Sequence, residues 1–250
     1  MVLKFKKPIL AVQTPLRQNA EGYRYSIEPF LIADFLTLSP ESQVLDIGTG
    51  CGIIPLLLAS KSQDSQFIAA EIQPTLALLA RTNIEEKGFT DRIQILEGDI
   101  LETALQLRKA SFDVIVSNPP YRQINTGRMN LNSEKAIARH ELKLDLAKLS
   151  RIAASLLKKG GRFIIAYPPK RLADAMVQLP ENDLYPSRLR FIHGTNKAPA
   201  KIFLLESLKS RQSDCSIEPP LYVYQENGLY TSHMESIYAS YSHISRADRI

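Results

Sequence analysis

Tryptophan is absent from this chain of 250 residues, and cysteine occurs only twice, at Cys51 and Cys215. Two cysteines so far apart make neither a disulfide framework nor a pair with metal-ligand spacing. The four histidines, His140, His193, His233 and His243, are equally scattered, so no metal site is expected. Long apolar runs are missing as well, and no stretch reaches membrane-spanning length. The opening Met1-Val2-Leu3-Lys4-Phe5-Lys6-Lys7-Pro8 is basic, but no apolar core of the signal-peptide kind follows it. A reduced, cytoplasmic setting away from membranes is the simplest expectation, and a monomer is expected. There is no repeat and no low-complexity segment. Charge is not strongly one-sided. The net value of +5 permits a nucleic-acid partner through phosphate attraction but does not demand one.

What the chain does have is alternation. Hydrophobic residues make up 44% and charged residues 23%, which suits a globular chain with a sizeable core. A helix is expected over 26–38, where Phe30, Leu31, Ala33, Phe35 and Leu38 recur at helical spacing before Pro40. Strand one is Val44–Ile47, and a helix over 53–60 follows a glycine cluster. Strand two is Phe67–Ala70, ending at Glu71. The helix over 73–87 has Pro74 near its start and Gly88 past its end. Strands follow at 92–96 and 112–117, then a long polar loop over 121–140. A helix over 143–159 is expected to end on Lys158 and Lys159, which suit its dipole, with Gly160-Gly161 closing it. Further strands are expected at 163–166, 188–193 and 201–206, with a short helix over 171–178. A small hairpin joins Leu221–Tyr224 to Leu229-Tyr230, and a helix over 235–241 ends the chain. Strands alternating with helices predict an α/β fold with a doubly wound, mostly parallel, Rossmann-like sheet. The whole of 1–250 is expected to form one domain, with a lead-in over 1–25 and a hairpin-and-helix extension over 215–250.

In such sheets ligands bind beyond the carboxyl ends of the strands. The chemistry-bearing residues fall there. Asp46-Ile47-Gly48-Thr49-Gly50-Cys51-Gly52 follows strand one, where glycines allow a sharp turn and close approach of a ligand. The spacing Gly-x-Gly-x-Gly differs from the Gly-x-Gly-x-x-Gly of dinucleotide enzymes. Asp46 ahead of it suits a positive amino group, such as that of a methionine moiety, and not a pyrophosphate. Glu71, ending strand two, can accept hydrogen bonds from ribose hydroxyls. Asp99, ending strand three beside Ile100, can meet an adenine amino group, although alone it suits an N-cap at least as well. An acid at each of three successive strand ends points to a nucleoside cofactor.

Asn118-Pro119-Pro120-Tyr121 follows the apolar run Phe112–Ser117. On average composition this tetrapeptide arises about once in a thousand chains of such length. An exocyclic amine on adenine is a poor nucleophile, because its lone pair is delocalised into the ring. Two acceptors aimed at its hydrogens favour a more pyramidal nitrogen. The Asn118 side-chain carbonyl and the Pro119 backbone carbonyl supply them. Consecutive prolines stiffen the turn, so the acceptors are pre-organised. Tyr121 can stack on a base, a contact that contributes roughly 1–3 kcal/mol. Together the two constellations point to methyl transfer from S-adenosylmethionine (SAM) to a planar nitrogen, with proximity and alignment dominating.

These residues resemble the class I SAM-dependent methyltransferases with an Asn-Pro-Pro-Tyr motif. Within them the chain is similar to the bacterial valine-tRNA adenine-N6 methyltransferase family. The likeness also covers Gly22-Tyr23-Arg24-Tyr25-Ser26, Glu134-Lys135-Ala136-Ile137-Ala138-Arg139-His140-Glu141 and Pro219-Pro220-Leu221-Tyr222-Val223-Tyr224. The resemblance implies SAM as cofactor, with the family's binding roles carried onto Asp46, Gly48, Gly50, Glu71 and Asp99, and Thr49, Gly52 and Ile100 are expected beside them in the cofactor site. It implies catalysis by Asn118, Pro119, Pro120 and Tyr121, and tRNA as substrate, methylated on the adenine 3′ to the anticodon. Where the family often has Asp, this chain has Glu28, so a cofactor contact from that position does not carry over. Arg122, Arg128, Lys135 and Arg139 are placed to meet tRNA phosphates, with Tyr121 on the base. Arg139-His140-Glu141 suits a helix-start ion pair equally well. Protein-glutamine methyltransferases acting on release factors share the tetrapeptide, but usually carry an extra N-terminal helical domain. Guanine-modifying RNA enzymes often have Phe in place of Tyr121. A non-catalytic binding protein of the same fold would typically have lost motif residues that are present here.

Overall fold

The computed structural model describes residues 16–17, 27–119 and 145–245. The expectations for the rest of the lead-in and for the loop over 121–140 lie outside the described residues. Helix α1 (Glu28–Phe35) precedes β1 (Gln43–Ile47), α2 (Ile53–Lys61), β2 (Gln66–Glu71), α3 (Pro74–Glu86), β3 (Ile93–Glu97), the single turn α4 (Ile100–Thr103) and β4 (Phe112–Ser117). The chain resumes with α5 (Leu146–Leu156), β5 (Leu157–Tyr167), α6 (Leu172–Glu181), β6 (Leu184–His193) and β7 (Ala200–Lys209). It closes with β8 (Ser216–Ile217), β9 (Leu221–Tyr222), α7 (Ser232–Ser240) and α8 (Ser242–Ser245).

The strands form one sheet in the order β3-β2-β1-β4-β5-β7-β6-β8, with β9 also beside β6. The strands from β3 to β5 are mutually parallel, and β7 runs antiparallel between β5 and β6. Side chains alternate across each strand, and this divides the core into two layers. Val44, Val114, Val116, Ile164, Ala166, Ile202 and Leu204 face α1, α2 and α7. Leu45, Ile47, Ile115, Phe163, Ile165, Phe203 and Leu205 face α5 and α6. Apolar residues on both faces of the central strands are the pattern a covered parallel sheet requires.

Three local outcomes differ from the periodicity. The first helix is shorter than expected, stopping at Phe35 with Leu36 already extended. The helix expected over 143–159 ends at Leu156, and β5 begins at once. The β4–β5 register jumps from Phe112↔Leu157 to Val114↔Arg162, so residues 158–161 bulge out of the ladder. Gly160 takes φ +76°, and a Cβ on Gly161 would lie 2.9 Å from the Lys158 carbonyl oxygen, so the glycines serve the bulge rather than a helix cap. Lys158 accordingly meets Asp113, its Nζ 2.8 Å from both carboxylate oxygens, and not a helix end. At the C-terminal end, Leu221-Tyr222 pair parallel with the end of β6, and Tyr224 bridges Tyr230 around Glu226-Asn227-Gly228.

Candidate active site

The strand order reverses at β1, which has β2 on one side and β4 on the other. From β1 the chain passes outward to β2 and β3, then returns to β4, which leaves a crevice at the carboxyl ends of β1 and β4. Asp46, Gly48, Glu71 and Asn118 all sit at this edge, since Asp46 pairs with Ala69 and Val116, and Ile47 with Ala70 and Ser117. Asp99, two residues past the end of β3, is the outermost of the predicted acids.

Asp46 is 1% exposed. Neither of its carboxylate oxygens has a hydrogen-bond partner among the described residues. Burial pushes its pKa from 3.8 up to about 7, opposed by the nearby Thr49 hydroxyl and reinforced by the charge on Glu71. A buried carboxylate without a partner costs several kcal/mol when ionised, and such a group in a crevice is a candidate functional residue.

The glycine turn is held from below. The amides of Gly48 and Thr49 both donate to the Ala70 carbonyl, at 2.9 and 3.0 Å, and Gly52 N–H donates to Thr49 O at 3.1 Å. Two glycines in it serve different ends. Gly48 has φ +80° with nothing within 4 Å of where a Cβ would stand, so its side of the turn is open to a ligand. At Gly52, φ +83°, a Cβ would meet the Ala80 Cβ at 3.3 Å, so this glycine lets the start of α2 lie against α3.

Glu71 is 4% exposed and does structural duty as well as facing the crevice edge. Its Oε2 accepts from Gly50 N–H at 2.8 Å, and its Oε1 from Gln73 N–H at 2.9 Å. Burial raises its pKa, and the amides of Gln73, Gly50 and Ile72 oppose that rise. A carboxylate has about four acceptor sites, so two backbone donors leave room for ribose hydroxyls. Asp99 caps α4, with Oδ1 accepting from Leu101 N–H at 3.0 Å, and Ile100 beside it is buried. The N-cap role is therefore present.

At the end of β4, Ser117 is fully buried, and its hydroxyl donates to Ile47 O at 2.8 Å. This bond pins the β4 terminus to the β1 terminus, directly before Asn118 and Pro119, which are half-buried. Pro120, Tyr121, Arg122, Arg128, Lys135 and Arg139 lie outside the described residues.

Sequence reasoning missed Asn83. It is 1% exposed on α3 and donates from Nδ2 to the Cys51 carbonyl of the glycine turn at 2.9 Å. The signal was there: it is an amide standing three residues after Ala80 and seven after Leu76, on the apolar stripe of the helix. Cys51 itself is buried and unpaired, its thiol pushed up to about 11 by burial, so it is no nucleophile. Among the described residues no cluster of His, Cys, Asp and Glu could hold a metal ion, and no helix is long and apolar enough to cross a membrane.

Comparison with known proteins agrees with this geometry. The tRNA1(Val) (adenine(37)-N6)-methyltransferase of Porphyromonas gingivalis is 37% identical over 161 residues, covering 63% of this chain and 62% of the relative. The match thus spans somewhat under two thirds of that relative's length. The protein of the same name from Trichodesmium erythraeum is 27% identical over 218 residues, covering 85% of this chain and 90% of its own. A predicted O-methyltransferase from Agrobacterium tumefaciens shares the fold, with a TM-score of 0.67 at 16% identity over 85% of this chain and 95% of that one. The fold is the Rossmann-like one of class I methyltransferases. Residues 38–201 match the family described as "Methyltransferase domain", and with that match covering well over half of its length the chain belongs to this family.

Proposed function

We propose that this protein transfers a methyl group from SAM to the exocyclic N6 amine of adenine in tRNA, on valine tRNA at the adenine 3′ to the anticodon. The observation that carries the reading is the juxtaposition of an unpartnered buried carboxylate, Asp46, with the Asn118-Pro119 turn on the neighbouring strand. The names of the curated relatives support the choice of tRNA over a protein substrate.

The residues fit the cofactor. Asp46 would hold the ammonium of the methionine moiety, the open side of Gly48 would pass its backbone, and the free acceptor sites of Glu71 would take the ribose hydroxyls. When bound, SAM supplies an electrophilic methyl on a sulfonium centre. The protein's part is to position the amine. The Asn118 side-chain carbonyl and the Pro119 backbone carbonyl accept its two hydrogens, which localises the nitrogen lone pair. The Ser117–Ile47 hydrogen bond fixes this turn to the strand that carries Asp46. Acceptors held in place before the substrate arrives need no reorganisation in the transition state. The methylated nitrogen is strongly acidic and loses its proton without a dedicated base. Tyr121 stacks on the base, and Arg122, Arg128, Lys135 and Arg139 meet the phosphates. A cytoplasmic location follows from the same reading, because the tRNA pool is there.

The test is methyl incorporation from labelled SAM into unmodified total tRNA, followed by nucleoside analysis. Labelled N6-methyladenosine is expected. Asn118→Ala should lower kcat by on the order of 10²–10³, the loss typical of one such polar group, with SAM affinity nearly unchanged. Label in a release factor and none in tRNA would replace the substrate, and turnover retained in Asn118→Ala would remove Asn118 from the mechanism.

A further inference from the structure

The glycine turn has a tether that reaches outside the crevice. Asn83 Nδ2 donates to Cys51 O at 2.9 Å and also to Arg17 O at 3.1 Å, while Asn83 Oδ1 accepts from Arg17 N–H at 2.8 Å. One buried amide therefore pairs with both backbone groups of Arg17, as a neighbouring strand would, and with the turn that faces the cofactor. Leu16 is buried beside it, and the Arg17 guanidinium pairs with Glu86 one turn along α3. The peptide between Cys51 and Gly52 is held at both ends, its carbonyl by Asn83 and its N–H by Thr49 O. Gly50 N–H is held by Glu71. The orientation of the turn's peptide groups thus depends on Asn83, and the Asn83 amide is shared with residue 17.

We infer that Asn83 is a positioning residue that couples docking of the Leu16–Arg17 segment to cofactor binding. The inference rests on the cofactor reading above and goes beyond it, because it assigns a role to a residue with no place in the reaction. Each event orders the same amide: docking fixes its plane from one side, and the Cys51 carbonyl fixes it from the other. Two sites that share an ordered element are linked reciprocally, so SAM stabilises the docked segment by the same factor by which docking improves SAM binding. A bridge made of backbone groups on the Arg17 side predicts that the Arg17 side chain matters little and that its N–H matters a great deal. The exposed Arg17–Glu86 pair is a contact of the kind that contributes little.

The test uses the full-length protein and SAM itself. Arg17→Pro removes the N–H donor and leaves α3 and the glycine turn intact. It should weaken SAM binding, measured by calorimetry, by about five- to tenfold, the low end of typical site–site couplings. Arg17→Ala should bind within about twofold of wild type, and kcat at saturating SAM should be the same in all three proteins. Asn83→Asp places an oxygen against the Cys51 and Arg17 carbonyls and should weaken binding at least as much. Hydrogen exchange at the Arg17 amide should slow when SAM is added to the wild type and should not respond in Asn83→Asp. Unchanged SAM affinity in Arg17→Pro, or an Arg17 amide indifferent to SAM in the wild type, would overturn the coupling alone. A wild-type protein that takes up no SAM would instead overturn the cofactor reading, and the coupling with it.

Discussion

Two groups of carboxylates stand on opposite terms in this molecule. Along the α1 side of β6 and β7, Asp34, Glu206 and Glu218 meet Arg162, Arg188 and Arg190. Arg188 lies 3.1 Å from Glu206 and 3.0 Å from Glu218, Arg162 is 3.5 Å from Glu206, and Arg190 pairs with Glu218 and sits 3.4 Å from Asp34. The guanidinium of Arg188 also donates to the Phe35 carbonyl at 2.7 Å and lies 4.0 Å above the Phe35 ring. Three acids are matched by three guanidinium groups, and the network fastens α1 to the far strands. At the carboxyl ends of β1 and β2, the charge on Glu71 adds to the cost of ionising the buried Asp46, and both Asp46 oxygens lack hydrogen-bond partners among the described residues. Glu206, at 8% exposed, is buried nearly as deeply as Asp46 and Glu71, whereas Asp34 and Glu218 are half-buried. Between Glu206 and Asp46 the difference is pairing, and it separates a structural use of charge from an acid left without a partner.

The largest effect should come from breaking the matched group. Glu206→Gln leaves Arg162 and Arg188 facing a neutral amide in a partly buried setting. Removal of one partner from such a network costs about 3 kcal/mol, read as a lower denaturant midpoint with an unchanged slope. SAM affinity should not move. A variant of wild-type stability would show that the network is surface decoration, and the contrast with Asp46 would lose one side.

The same kind of change at Asp46 should have the opposite sign in the free protein. Asp46→Asn removes a charge that nothing compensates, so the ligand-free protein should gain about 1–2 kcal/mol near pH 8, part of the desolvation cost of an unpaired buried group. SAM affinity should fall on the order of tenfold to a hundredfold, as expected when one partner of a buried charge pair is lost. Stability lost in both variants would mean that Asp46 is a structural acid after all.

Much of this arrangement was legible from residue order, because the strands in the middle of the sheet are short apolar runs with motifs at their ends. Asp46, Gly48, Glu71, Asp99 and Asn118 could be placed at one edge without coordinates. What could not be read depends on long-range register. Lys158 and Lys159 look like a helix end until the β4–β5 pairing pulls residues 158–161 into a bulge. Asn83 looks like a flaw in an apolar stripe until Arg17 and Cys51 arrive beside it. The Arg188 network joins α1 to strands more than a hundred residues away, and no local pattern announces such partners. Phe30, Tyr230 and Tyr238 likewise form one aromatic cluster from distant segments, with ring centroids 5.1 and 5.2 Å apart.

The smallest effect, and the sharpest discriminator, is the response to pH. In the folded protein Asp46 holds its proton up to about pH 7, whereas in the unfolded chain it releases it near the ordinary value of 3.8. Between those values the folded state binds more protons, so stability falls as pH rises, and above about 7 the loss is complete. SAM binding should run the other way: on the proposed reading the ionised form of Asp46 meets the ammonium, so affinity should climb as pH rises from 5.5 to 8 and then level off. The increase in Tm caused by a fixed concentration of SAM should therefore grow over that range, while the Tm of the free protein declines. Glu71 and Thr49 are the polar side chains around Asp46 that set its ionisation, and Glu71 is itself raised by burial, so the two acids should titrate as a pair. Asp46→Asn should flatten both curves, and a variant that keeps the wild-type pH profile would place the titrating group elsewhere in the crevice.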